Sequence, residues 1–171
     1  KVVTAAWAAD SRTLFYTVED EAKRSHRLYR HELGSHEHAL VYEEPDERFN
    51  VYVGRTRSGA FVVMAAASHT TSEVRVLPAD QPRAELALVA PRLQDQEYEL
   101  DHQGGRFLIR VNDTGRNFRL VEAPVRSPGR ESWREVVAHR PEVMLEGLEA
   151  FAGFVVLLER EGGLQRLRIL E

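Results

Sequence analysis

Four phenylalanines fall at nearly equal intervals along the chain. Phe15, Phe61 and Phe107 are 46 residues apart, and Phe154 follows after 47. The same step links Ala6, Tyr52, Tyr98 and Met144; it also links Leu28, Val74 and Leu120, with Leu167 again 47 further on. Leu40 and Leu86 add another strand position to the series. Each period holds four short β-rich runs, as in "NVYVG", "AFVVMAA", "EVRVL" and "LALVA". Turn chemistry separates them in register. The first hairpins turn at "ADSRT", "RTRSG", "HQGGR" and "EAFAG", and the second at "EDEAKRSH", "SHTTSE", "NDTGRN" and "REGG". Four strands repeated every ~46 residues is the pattern of a β-propeller blade. The chain therefore reads as all-β, a β-propeller fragment of about three and a half four-stranded antiparallel blades. Their approximate bounds are residues 1–49, 50–97, 98–143 and an incomplete 144–171.

A β-sandwich with evenly spaced strands is the competing reading, since its strands also recur every ~8–12 residues. Coincident phases of aromatics, aliphatics and turns favour the propeller. "ESWREVVAHRPEVM" has some helical character, but Pro141 and the β-branched pair Val136–Val137 oppose a long helix. Propellers close as rings of about 4–8 blades. A shorter count, together with a start at Lys1 and not at methionine, predicts a piece of a longer protein. Its unpaired strand edges would invite self-association.

Composition narrows the partners. The net charge is −4 and the 23 Lys and Arg are scattered, so no basic patch is expected to neutralise nucleic-acid phosphates. The absence of cysteine excludes disulfides, thiolate metal sites and a cysteine nucleophile, and is compatible with a cytoplasmic location. The longest apolar runs, residues 60–67 and 150–158, fall short of the ~20 residues of a spanning helix, so no membrane partner is expected.

The chemistry of a hydrolase is missing from the motifs. G-x-S-x-G, which exposes a serine nucleophile on a strained turn, does not occur; "RTRSGA" and "ELGSHE" lack the paired glycines. No catalytic residue and no cofactor is expected in this chain. In "HELGSHEH", His36 and His38 project to one side of a strand, with His31 or Glu37 as further ligands, but a solvated turn is the reading preferred over a metal site. "EEPDER" (43–48) concentrates acids, either to attract cationic peptides, to pair with another domain, or simply as a solvated link between blades. The innermost strands are "TAAWA", "NVYVG", "EYELDH" and "MLEGLEA". They make Glu99, Asp101, Glu146 and Glu149 candidates for an acidic channel wall that concentrates basic peptides. The same acids could instead bridge neighbouring strands or enter inter-blade packing.

The ordered segments "DSRTLFYT", "RHELG", "LVYEEPDERF", "TTSEVRVLPAD", "EYELDH", "NFRLVEAP", "HRPEVMLE" and "GLQRLRI" together resemble the propeller of the prolyl oligopeptidase family of serine peptidases, and within it the oligopeptidase B (protease II) branch. The resemblance implies a seven-bladed propeller seated over an α/β-hydrolase domain of the same parent chain, enclosing its active site and admitting short peptides. In that branch the peptides are cut after Lys or Arg. The family's Ser, Asp and His lie in the hydrolase domain, which is absent here, so no residue of this chain takes their role. The alternative is a stand-alone propeller module that binds peptide or protein, with a lectin-like or solute-binding β-domain more remote.

Overall fold

A computed structural model describes all residues from Lys1 to Glu171. They form four antiparallel sheets. The first contains β1 (Val2–Trp7), β2 (Thr13–Glu19), β3 (Ser25–Glu32) and β4 (His38–Glu43). The second contains β5 (Asn50–Arg55), β6 (Phe61–Ala67), β7 (Ser72–Pro78) and β8 (Ala87–Ala90). The third contains β9 (Tyr98–Gln103), β10 (Arg106–Val111), β11 (Arg119–Pro124) and β12 (Arg134–Val137). The fourth has three strands, β13 (Val143–Ala150), β14 (Val155–Glu161) and β15 (Leu164–Leu170). Each sheet is a simple meander in chain order, and the sheets stack face to face as the blades of a partial β-propeller. The only helical element is a single 3₁₀ turn, Arg130–Ser132, after which "REVV" forms β12. No helix is long and apolar enough to cross a membrane.

Local chemistry sets the turns. In "ADSRT", Asp10 Oδ1 accepts the N–H groups of Arg12 (2.9 Å) and Thr13 (2.8 Å), and Oδ2 accepts the Thr13 hydroxyl (2.7 Å). This is the side-chain-to-backbone closure that favours Asp at turns. Between β9 and β10 the turn shrinks to Gly104–Gly105, and the positive φ of Gly104 (62°) is one that a side chain would oppose.

Both faces of an interior blade are buried, which explains why the strands read as nearly continuous apolar runs. Ala6, Phe15 and Leu28 of blade 1 pack on Val51, Val62 and Met64 of blade 2. The opposite face of blade 2, including Val74 and Val76, packs on Phe107, Ile109 and Val121 of blade 3. Leu108 and Leu120 then turn towards Leu145, Val155 and Leu157 of blade 4. The series Leu28, Val74, Leu120 is thus a true structural repeat, each residue facing the next blade. Leu167 takes the same place and is 71% exposed.

The phenylalanine series is not equivalent in this way. Phe15 and Phe61 face the following blade, but Phe107 faces back, so Phe61 and Phe107 meet edge to face with centroids 5.0 Å apart. Phe154 sits in the turn before β14 and is 38% exposed. The cause is a one-residue slip in the second hairpin. Blades 2 and 3 keep the same register between their first two strands, but Phe61 pairs with Pro78 while Phe107 pairs with Ala123, one residue short of the 46-residue step. A one-residue slip turns the first two strands of blade 3 to the other face while Leu120 keeps its phase.

A second repeat is polar and was not picked out in the sequence. Ser25 Oγ donates to the Val51 carbonyl (2.8 Å), and Ser72 Oγ donates to the Tyr98 carbonyl (2.8 Å). Each serine opens the third strand of its blade and ties it to the first strand of the next. Apolar exposure is concentrated on sheet faces. Trp7 and Leu40 are exposed on blade 1, and Leu164, Leu167 and Ile169 on blade 4.

Candidate functional site: the cavity between the inner strands

Strands β5, β9 and β13 line a cavity of about 680 Å³. Its wall includes Tyr52, Arg55 and Arg57 from blade 2, Glu99 and Asp101 from blade 3, and Glu146 and Glu149 from blade 4. All four acids singled out in the sequence are brought together here, but they are not a free acidic surface.

Asp101 is 8% exposed and holds three blades together. Its Oδ1 accepts the N–H groups of Arg57 and His102, both at 2.8 Å, and its Oδ2 accepts that of Ala150 at 2.8 Å. Of the two roles expected for this residue, channel wall or inter-blade packing, its hydrogen bonds are those of inter-blade packing. In a radial sheet the side chains of the first strand point at the neighbouring blades, and only the strand edge faces the axis. Asp101 alternates onto the face that meets blade 4.

The other three are ion-paired. Glu149 Oε2 lies 2.6 Å from Arg57 Nη1, whose guanidinium carbon also sits 3.9 Å from the Phe151 ring centre. Glu99 is 3.3 Å from Arg110 Nη1. Burial pulls the Arg110 guanidinium down, against the charge of Glu99; it also donates to the Leu145 carbonyl (2.6 Å) and stacks 3.6 Å over Phe118. Glu146 accepts from Arg160 Nε (2.5 Å) and from Gln165 (2.8 Å), and these bonds hold its carboxyl below the usual range. Arg55 differs: Nε and Nη2 donate to the Gly59 carbonyl at 2.8 and 2.5 Å, with no carboxylate in ion-pair range. The wall therefore carries both signs, arginines on blade 2 and glutamates on blades 3 and 4.

The remaining motifs resolve as follows. Glu44 of "EEPDER" is 2% exposed and belongs to an internal network, so the solvated-link reading does not describe it. Its carboxylate accepts from Arg92 Nη2 (2.6 Å), Tyr42 Oη (2.8 Å) and the Asp46 N–H (3.0 Å). His31 and His38 are a cross-strand pair with stacked rings 4.6 Å apart, and Tyr16 Oη and His38 Nδ1 share a hydrogen bond at 2.7 Å. No cluster of three or more His, Cys, Asp or Glu is placed to hold a metal ion. Ser58 Oγ and His102 Nδ1 are hydrogen-bonded at 2.8 Å, a pair that no motif announced. Asp101 meets only the backbone N–H of His102, so this pair is not a nucleophilic relay. It packs the turn against Phe61, whose ring centre is 4.9 Å from that of His102.

Stacked antiparallel meanders, three of four strands and one of three, with a cavity beside their first strands, define the class: a partial β-propeller domain. Residues 1–171 match the family model described as prolyl oligopeptidase, N-terminal beta-propeller domain, and the chain belongs to that family. It is 43% identical over 169 residues to dipeptidyl aminopeptidase BI of Pseudoxanthomonas mexicana, covering 96% of this chain and 23% of that protein. It is 31% identical over 166 residues to protease 2 of Moraxella lacunata, covering 96% of this chain and 24% of that protein. The solved structure of oligopeptidase B from Leishmania major superposes with a TM-score of 0.89 at 27% identity, over 96% of this chain and 24% of that one. The chain thus spans about a quarter of the length of the relatives it matches.

Proposed function

We propose that this segment is part of a propeller that covers the active site of a serine-type peptidase and filters access to it, admitting short peptides to a hydrolase domain elsewhere in the parent chain. One observation carries the reading: the family's propeller architecture spans the whole chain, and its inner strands border an open, charged cavity of peptide size. Two cleavage modes follow from the relatives. The resemblance to the oligopeptidase B branch implies cleavage after Lys or Arg, and the similarity to protease 2 and to oligopeptidase B keeps that branch in play. The higher identity to a dipeptidyl aminopeptidase supports removal of dipeptides from a free N-terminus.

The test is the full-length parent protein assayed with three fluorogenic substrate sets: blocked arginyl peptides, unblocked dipeptidyl substrates, and a length series up to a folded protein. Turnover that falls steeply with substrate length supports the filter. Equal rates on short peptides and on a folded protein would refute it. A parent gene without a hydrolase domain would favour the stand-alone binding module instead. The cysteine-free composition agrees with a cytoplasmic location, which cell fractionation would check.

A further inference from the structure

The distribution of charge in the cavity says more about its occupant than an acidic wall would. Blade 2 contributes Arg55 and Arg57 from the end of β5 and the turn that follows. Facing them are Glu99 on β9 and Glu146 and Glu149 on β13. Tyr52, Val63 and Leu148 complete the lining, and the two sets meet where Arg57 pairs with Glu149 at 2.6 Å. A ligand bearing only cationic side chains would satisfy the glutamates and leave Arg55 facing it. An extended peptide with a free ammonium at one end and a free carboxylate at the other matches both walls.

We propose that the cavity between β5, β9 and β13 is a subsite for short zwitterionic peptides, Arg55 and Arg57 taking the carboxylate and Glu99, Glu146 and Glu149 the ammonium. The proposal rests on the reading that peptides pass through this propeller. Three features support it. Arg55 is preorganised: the Gly59 carbonyl fixes its guanidinium at 2.8 and 2.5 Å without neutralising it. The Arg57–Glu149 pair is 45% and 59% exposed, and such pairs are weak enough for a ligand's own charges to exchange with them. The volume of about 680 Å³ lies within the range of small-ligand cavities, and an extended tripeptide spans only about 10 Å.

The experiment uses the full-length parent protein with its nucleophile blocked by a covalent serine-directed inhibitor, so that neither hydrolysis nor active-site binding intervenes. Calorimetric titration compares trialanine, N-acetyl-trialanine, trialanine amide and the doubly blocked N-acetyl-trialanine amide. Blocking either end is expected to weaken binding about threefold, the scale of an exposed ion pair, and blocking both about tenfold. In Arg55→Gln the effect of amidation should vanish, and in Glu149→Gln the effect of acetylation should shrink. Equal affinity for free and blocked peptides, no measurable binding of trialanine, or end discrimination unchanged in both variants would overturn the proposal. The wild-type series decides even if a variant folds poorly. If the uninhibited parent hydrolyses no peptide yet discriminates the ends, the filter reading fails and the subsite stands. Hydrolysis without discrimination gives the reverse.

Discussion

Glu44 and Arg92 lie 48 residues apart in sequence and form a two-point ion pair, Nη2 to Oε2 at 2.6 Å and Nη1 to Oε1 at 3.3 Å. Glu44 leads out of blade 1 and Arg92 leads out of blade 2, so the pair joins two successive inter-blade links. Arg92 also reaches Glu73 Oε2 (3.4 Å) and lies 4.0 Å over the Phe49 ring centre. Glu44→Ala should cost about 2–4 kcal/mol, because it leaves a partly buried guanidinium without its main partner. For a chain of this size the melting temperature should fall by about 5–15 °C. A drop under two degrees in a thermal melt would mean the pair is ornamental.

The same carboxylate predicts how stability responds to acid. Burial pushes the Glu44 carboxyl up, but hydrogen bonds from Arg92, the Asp46 N–H and Tyr42 outweigh it and hold it below its ordinary value. Asp46 is lowered to about 2 by its bonds from Arg48. Depressed folded-state values contribute stability above the unfolded carboxylate range, about 4. That stability is lost as pH falls towards 2. Denaturant melts from pH 6 down to pH 2.5 should show a monotonic fall, shallower in Glu44→Gln.

Asp101→Ala removes the acceptor of three N–H groups, on Arg57, His102 and Ala150. The expected cost is about 2–4 kcal/mol. Amide hydrogen exchange should accelerate at Arg57 and Ala150 before any change in the strands of blade 1. Protection unchanged at those two amides would refute the role assigned to this carboxylate.

Leu28 and Leu167 occupy corresponding positions but differ completely in surroundings, fully buried against 71% exposed. Leu28→Ala should cost about 2–4 kcal/mol. Leu167→Ala should change stability by less than about 0.5 kcal/mol in this segment. Similar losses at both sites in parallel denaturant titrations would contradict the difference in burial between these corresponding positions.

The exposed apolar faces should make the isolated segment associate at high concentration. Light scattering should report a concentration-dependent mass, reduced in the double variant Leu167→Lys, Ile169→Lys on blade 4, where the two residues are 71% and 62% exposed. An unchanged mass in that variant would move the contact to the strand edges.

Fold class and repeat were legible because propeller blades announce themselves through strand count and aliphatic phase, and Leu28, Val74 and Leu120 kept that phase in space. The phenylalanine series misled because hairpin register is a local property, and a one-residue slip between the second and third strands of blade 3 puts Phe107 on the opposite face from Phe61. The four acids lie together beside the inner strands, since position along a blade follows from strand order. Their partners were legible only in part. Arg110 lies directly opposite Glu99 and Arg160 lies on the strand paired with that of Glu146, the neighbouring-strand bridges named as an alternative; only Arg57 reaches its partner from a turn of another blade, across a separation no motif encodes. The buried fate of Asp101 depends on which way a first strand faces, which a single spacing cannot decide.

Arg57 has one further consequence. Stacked repeats normally lose structure from their ends one unit at a time, because each touches only its neighbours. Here a turn of blade 2 grips Glu149 and Phe151 of blade 4, passing over blade 3, whose Asp101 binds both sides. Fraying of the last blade must break a bond to a sheet two places away. Through the buried Asp101 the three sheets around the cavity are bound into one cooperative unit, with the exposed Arg57–Glu149 pair adding only weakly, and the shape of the cavity mouth holds or fails as a whole.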